Sequence, residues 1–98
     1  MLHHALTIRA TTPDDTGTLR RLAELDCGQQ PRGVALLAER DGVPVAAIAL
    51  TSGLVIADPF QRTVDAAHLL RQRRYRLLRQ GGDVGSARTL LRRLAPAV

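Results

Sequence analysis

The sequence is poor in several residue types that define common protein classes. Its 98 residues include one cysteine (Cys27), one phenylalanine (Phe60) and one tyrosine (Tyr75), with no tryptophan and no lysine. A single thiol cannot form an intramolecular disulfide, which excludes a disulfide-stapled fold and favours a reducing cytoplasm. Because only two side chains are aromatic, the core must be aliphatic.

Long apolar runs are also missing. The best candidate, residues 34–57, is interrupted by Arg40-Asp41 and by Ser52-Gly53, so no stretch approaches the roughly 20 apolar residues that span a bilayer. The N-terminus does not have the basic-then-apolar order of a secretory signal. Hydrophobic residues make up 45% of the chain, which is enough to bury one small core. We therefore expect a single cytoplasmic domain, residues 1–98, with no membrane span.

The net charge of +5 is unevenly distributed. All fourteen basic residues are arginine, which together with abundant Ala, Leu and Gly is typical of a GC-rich coding sequence, so part of the basicity need not be functional. Residues 1–58 hold five Arg against seven acidic residues, a net of −2. Residues 59–98 hold nine Arg against two Asp, a net of +7. The basic character therefore belongs to the C-terminal part of the chain.

The segment from residue 34 to residue 60 predicts the centre of the fold. It contains three short apolar runs separated by Asp41-Gly42 and Ser52-Gly53, and a Gly in each break supplies the positive φ of a tight turn. The pattern predicts an antiparallel three-strand meander whose last strand, Leu54–Ala57, ends before Asp58-Pro59. Pro44 lacks a donor N–H, so either it faces outward at an edge or its strand begins at Val45.

A strand and a helix are predicted ahead of the meander. Residues 6–10 alternate apolar and polar side chains, as a half-buried strand does. Residues 12–15 (TPDD) then combine a capping Thr, a Pro suited to the first helical position, and two acidic residues that favour the positive end of the helix dipole. The apolar face of this helix is Leu19, Leu22 and Ala23, its end lies near Asp26, and residues 27–33 form a loop.

Two helices are predicted after the meander. The first runs from Gln61 to Gln80 and ends at Gly81-Gly82, with an apolar face of Val64, Ala67, Leu70 and Leu77-Leu78. The second covers residues 83–95 with an apolar stripe opposite its arginines. The sequence therefore predicts an α+β fold: a small antiparallel sheet (the N-terminal strand plus the three-strand meander) packed with one N-terminal helix and two C-terminal helices.

The order of these elements resembles the N-terminal half of the GNAT-type N-acetyltransferases. Residues 6–15 (LTIRATTPDD) resemble the opening strand and first helix start of that family, and the strands around Asp41-Gly42 resemble its second and third strands. In the family the fourth strand ends in Pro, and a loop of the form [Gln/Arg]-x-x-Gly-x-[Gly/Ala] then opens a helix. The family's domain continues into further strands that complete the acetyl-CoA cleft, so the resemblance covers about residues 5–70.

In that family the loop holds the pyrophosphate of acetyl-CoA on backbone N–H groups at the helix N-terminus. Set on the loop pattern, Arg62 takes the first position and Ala67 the last, while Asp65 replaces the middle glycine. Like charges a few Å apart cost ~1 kcal/mol in water and several near a protein surface, so Asp65 opposes a bound pyrophosphate. The resemblance therefore implies a vestigial acetyl-CoA loop. Its residues are Arg62, Thr63, Val64, Asp65, Ala66 and Ala67; alternatively, they form an ordinary capped helix start.

No other chemistry is predicted. His3 and His4 are adjacent, so in a strand they would point to opposite faces, and His68 has Gln72 rather than a ligand four residues on. We expect no metal site, no catalytic residue and no bound cofactor. Cys27 has no histidine near it in sequence and is interpreted as a free loop thiol.

Three functions remain open on the sequence. The first is a non-catalytic GNAT-like protein that acts through protein–protein contact or self-association, using the Leu54–Ala57 edge or the last helix. The second is an acetyl-CoA-dependent N-acetyltransferase. The third is an Arg-rich helical module that binds nucleic acid or an anionic surface. Its candidate residues are Arg71, Arg73, Arg74, Arg76 and Arg79.

Overall fold

The computed structural model describes residues 5–80 and confirms the α+β fold. Four strands form one antiparallel sheet in the order β1-β2-β3-β4. The helices and strands are β1 (Leu6–Ala10), α1 (Thr16–Leu25), β2 (Ala35–Arg40), β3 (Val43–Ala49), β4 (Val55–Ala57) and α2 (Val64–Gln80). The helix predicted over residues 83–95 lies outside the described residues.

The N-terminal strand and helix form where the sequence predicts them. Side chains of β1 alternate between half-buried and exposed, as expected of a strand with one covered face. Thr12 then caps a single 3₁₀ turn, Pro13–Asp15, that leads into α1. Its Oγ1 accepts the N–H of Asp14 at 3.3 Å, and Asp15 Oδ2 accepts the N–H of Thr12 at 2.8 Å, which completes a capping box. The TPDD signal thus marks a helix start whose first turn is 3₁₀ rather than α.

The turn between β2 and β3 also follows the sequence signal. Asp41 and Gly42 have φ values of +52° and +81°, the two positive values of a type I′ turn, which matches the twist of the strands it joins. Gly53 has a φ of +78° in the connection to β4 and donates its N–H to the carbonyl of Ala49 at 2.9 Å. These are the conformations that the two predicted breaks required.

Pro44 lies within β3, so the alternative that this strand starts at Val45 is wrong. It is opposite Glu39, beside a register shift between Ala38 and Glu39. On the other side of β3, β4 pairs only with residues 46–48 and does not reach Pro44. Pro44 therefore occupies a local edge of the sheet, where its missing N–H removes no ladder hydrogen bond.

The sheet is covered by α1 on one face and by α2 on the other. One cluster joins Leu19, Leu22 and Ala23 of α1, as the helical pattern predicted, to the sheet. Its sheet members are Leu37, Ala47 and Ile56. The other cluster joins Ala66 and Leu70 of α2 to alternate positions of the strands, which include Leu36, Ala38 and Ile48. Because strand side chains alternate between faces, β2 and β3 supply both clusters.

The predicted apolar face of α2 needs one correction. The helix begins at Val64 rather than Gln61, and the Val64 side chain is 83% exposed rather than part of the core. The buried residues are Ala66 and Leu70, with Leu77 partly buried against the same cluster. These positions share a face at helical spacing, and the small side chain of Ala66 lets the first turn lie close to the sheet.

Within residues 5–80, neither helix is long and apolar enough to cross a membrane.

Candidate functional site

The candidate site is the start of α2, where the resemblance implies a vestigial acetyl-CoA loop. The chain leaves β4 through Asp58, whose buried carboxylate accepts the N–H of Phe60 at 2.9 Å, while its carbonyl accepts the N–H of Gln61 at 3.1 Å. This turn brings Thr63 to the helix start. The carbonyl of Thr63 accepts the N–H of Ala67 at 2.8 Å, the first hydrogen bond of the helix.

Both oxygens of the Asp65 carboxylate accept a hydrogen bond from the protein itself. Its Oδ1 accepts the N–H of Ala66 at 2.8 Å, and its Oδ2 accepts from Nη2 of Arg40 at 2.6 Å. The hydrogen bond from Arg40 is the main reason that the pKa of Asp65 lies below its ordinary value. The carboxylate is therefore ionised at neutral pH and is neutralised by the arginine.

Arg40 also holds the chain just before the helix. Its Nη1 donates to the carbonyl of Arg62 at 2.5 Å, so one guanidinium bridges the last turn before α2 and the first turn within it. The Arg40 side chain is 14% exposed, whereas that of Asp65 is 51% exposed. The pair thus lies at the rim of the sheet, with the carboxylate on the solvent side.

Sequence reasoning missed Arg40, although a signal was present. Leu36 and Ala38 of β2 belong to the cluster that α2 covers, and Arg40 follows at the same two-residue spacing. Strand periodicity therefore places its side chain on the α2 face of the sheet. The sequence does not say that α2 would begin beside it.

The six residues predicted for the loop have different environments. Arg62, Val64 and Asp65 are exposed, Thr63 and Ala67 are half-buried, and Ala66 is completely buried. The exposed backbone start of a helix favours an anion by its dipole and its unpaired N–H groups. Here an internal carboxylate and its arginine partner occupy that position.

The five arginines predicted to bind an anionic partner do not form one equivalent set. Arg74 donates from Nε to the carbonyl of Leu50 at 2.8 Å and from Nη2 to that of Thr51 at 3.2 Å. It therefore ties α2 to the turn after β3. Arg79 lies over the ring of Tyr75, with its guanidinium carbon 5.8 Å from the ring centroid.

The outer edge of β4 is partly covered. Its pairing with β3 directs the N–H and carbonyl groups of Val55 and Ala57 away from the sheet. The N–H of Ala57 donates to Oδ2 of Asp26 at 3.2 Å, so the end of α1 supplies a partner for this edge. A charged side chain at an edge strand is a common protection against unwanted strand pairing.

A hollow of about 270 Å³ lies between the start of α1 and the loop before β2. The hydroxyl groups that line it already have partners within the protein: Thr11 Oγ1 accepts the N–H of Ala35 at 3.0 Å, and Thr16 Oγ1 donates to the carbonyl of Pro13 at 2.8 Å. These bonds give both hydroxyl groups a structural role in the protein. Among residues 5–80, no group of three His, Cys, Asp or Glu side chains could hold a metal ion.

Comparison with known proteins returns no relative: no family model, curated protein or solved structure matches the chain.

Proposed function

We propose that this chain is a non-catalytic, GNAT-like domain that acts through contact with another protein chain or with a second copy of itself. The observation that carries the proposal is the Asp65 carboxylate, which is bonded to Arg40 and to the N–H of Ala66. It lies where the resemblance puts the pyrophosphate of acetyl-CoA. The antiparallel order β1-β2-β3-β4, with α1 and α2 on opposite faces, supports the layout that the resemblance implies.

A bound pyrophosphate would have to displace an interaction that the protein already makes. Its oxygens would compete with Asp65 for the N–H of Ala66 and for the guanidinium of Arg40. If the carboxylate stayed in place, it would repel the ligand at close range. Asp65 thus acts as an internal anion at the helix N-terminus, where it accepts one backbone N–H without a cofactor.

The surface offered for protein contact lies around the same turn. Phe60 and Val64, on either side of the α2 start, are each 83% exposed, the highest values among the large apolar side chains of residues 5–80. Contact with a second chain would bury them, at about 25 cal/mol per Å² of apolar surface removed from water. The N–H of Ala57 on the β4 edge can join such a contact only if the Asp26 carboxylate leaves it.

The exposed free thiol of Cys27 suits a reducing compartment, so the proposal places the protein in the cytoplasm.

Acetyl-CoA provides the test of the non-catalytic part. A ligand that binds only the folded form must raise the melting temperature. Because we propose that the wild type does not bind acetyl-CoA, we expect an excess of acetyl-CoA to leave its melting temperature unchanged. Asp65→Gly removes the competing carboxylate and leaves Arg40 beside the helix N-terminus, so this variant should gain stabilisation by acetyl-CoA. Asp14→Gly, which removes an exposed acidic residue elsewhere, is the control and should gain none.

A rise in the wild-type melting temperature would support the acetyltransferase alternative and end the non-catalytic proposal.

The contact part is tested separately by sedimentation over about a hundredfold range of concentration. We expect Phe60→Ser with Val64→Ser to abolish any concentration-dependent association. A wild type that stays monomeric at every concentration would rule out the self-association part of the proposal.

A further inference from the structure

The outer face of α2 carries positive charge that the described part of the protein does not neutralise. Ion pairs within residues 5–80 join Arg9 to Asp15 and Glu39, and Arg40 to Asp65. The only acidic residue of α2 is Asp65, which is already paired. Four exposed arginines of the helix have no acidic partner in this range. They are Arg71, Arg73, Arg76 and Arg79.

Arg74 does not belong to this set, because its guanidinium donates to the carbonyls of Leu50 and Thr51. It anchors the helix so that its neighbours are presented in a fixed orientation. Ala66 and Leu70 bury the opposite face against the sheet. The outward arginines therefore stand on a rigid element, which lowers the entropy lost when they bind a partner.

The four arginines without an acidic partner are spread around the helix rather than along one line. Residues advance about 100° each around a helix axis, so Arg71 and Arg73 lie on opposite flanks, about 160° apart. Arg79 falls near the middle of the exposed face and Arg76 between the middle and one flank. From Arg71 to Arg79 the helix rises about 12 Å. This spread suits a partner that surrounds the helix with negative charge on both sides.

The side chains in the middle of the exposed face end in polar groups. A shallow hollow of about 350 Å³ lies along this face. It is lined by His68, Arg71, Gln72, Tyr75 and Arg76. The exposed apolar or aromatic residues of α2 are Val64, Leu69 and Tyr75, which lie five and six positions apart and so do not fall on one line along the helix. An amphipathic protein helix needs a continuous apolar stripe, and a membrane-surface helix needs an apolar face to bury. The outer face of α2 has neither of these features.

We propose that the exposed face of α2 binds duplex DNA, with the helix in the major groove. The groove is about 12 Å wide and is bordered by phosphates on both sides, which matches flanking arginines around a polar centre. Arg71, Arg73 and Arg76 contact the backbone, and this contact is independent of sequence. Gln72 and Arg79 lie centrally, where amide and guanidinium groups can meet base edges. The proposal does not depend on the GNAT-like assignment.

The test is fluorescence anisotropy of a labelled mixed-sequence DNA duplex with the full chain. Three phosphate contacts predict that affinity falls by about fortyfold between about 50 and about 200 mM salt. The variant R71Q/R76Q/R79Q should lose most of the binding, and its logarithmic salt slope should shrink by about 2 because it removes two phosphate contacts. The control R20Q/R21Q/R32Q makes the same change in net charge on exposed residues outside α2 and should bind as the wild type does.

Circular dichroism should show the same melting temperature for both triple variants, because every substituted residue is exposed. Equal losses in the two variants would overturn the proposal, since binding would then follow net charge alone. Tighter binding to poly-glutamate or to phosphatidylserine vesicles than to the duplex would also overturn it. An affinity for the duplex that does not change with salt concentration would overturn the proposal as well. Preference for the duplex, with loss confined to the α2 variant, is the expected result.

Discussion

Arg74 of α2 donates from Nε to the backbone carbonyl of Leu50 at 2.8 Å, and so ties the helix to the turn after β3. Its Nη2 reaches the next carbonyl, that of Thr51, at 3.2 Å. A β-carbon added at Gly53 would lie 3.2 Å from the guanidinium carbon, so the glycine leaves room for this contact. One arginine in a run of charged residues is thereby a structural residue.

Replacing Arg74 should cost stability, whereas replacing its neighbour should not. Arg74→Met leaves two backbone carbonyls without their charged donor, and we expect a loss of about 1 kcal/mol in the free energy of unfolding. Arg73→Met is the matched control, because Arg73 is exposed and lies one position away. Urea denaturation of both variants measures the difference. Equal stability of the two would mean that the Arg74 bonds contribute nothing.

Asp15 should make stability depend on acid pH. Hydrogen bonds from Arg9 to both carboxylate oxygens, at 2.8 Å each, are the main cause that lowers the pKa of Asp15 to about 2. Because the folded pKa lies below the unfolded one, the stabilisation is complete above about pH 4 and is lost as the pH falls through about 2. Its size at neutral pH is about 2 kcal/mol.

Thermal unfolding of the wild type and of Asp15→Asn between pH 7 and pH 2 measures this dependence. The two melting temperatures should differ at neutral pH and converge in acid. Asp14→Asn, at the exposed neighbouring position, should follow the wild type throughout. A constant difference between the wild type and Asp15→Asn over the whole range would contradict the role of this carboxylate.

Asp26 should limit pairing of the β4 edge with other chains. In Asp26→Ala the N–H of Ala57 loses its partner, so the edge becomes available to another strand. We expect this variant to associate at lower concentration than the wild type in sedimentation velocity. Glu24→Ala, which removes an exposed acidic residue of α1, is the control. Identical behaviour of Asp26→Ala and Glu24→Ala would show that the Asp26 contact does not protect the edge.

Leu22 should be the most sensitive residue of α1. It is completely buried between α1 and the sheet, with Leu37 and Ile56 in the same cluster. Leu22→Ala should therefore cost about 3 kcal/mol in the free energy of unfolding, for lost transfer energy and a residual cavity. Leu25→Ala, at a half-buried position of the same helix, should cost clearly less. Chemical denaturation of the two variants shows whether the loss of stability follows the burial of the leucine, since alanine lowers helix propensity at neither position.

Local patterns predicted most of the fold because local physics determines it. The Asp41-Gly42 turn depends on two adjacent residues that tolerate positive φ, and the helix start at TPDD depends on bonds within four residues. The buried face of α1 follows from its own apolar spacing. The apolar face of α2 was less well predicted, because arginines interrupt it and packing on the sheet decides its rotation.

The sequence by itself determined the α+β class, the meander and its turns, and the carboxylate at position 65, since each is read from neighbouring residues. Only the tertiary structure decided that Arg40 neutralises Asp65, that Asp26 covers the β4 edge, and that Arg74 is withdrawn from the Arg-rich run. Each of these contacts joins residues 24 to 31 positions apart. Contacts between residues so far apart in sequence depend on how the helices pack on the sheet, and no local pattern encodes them.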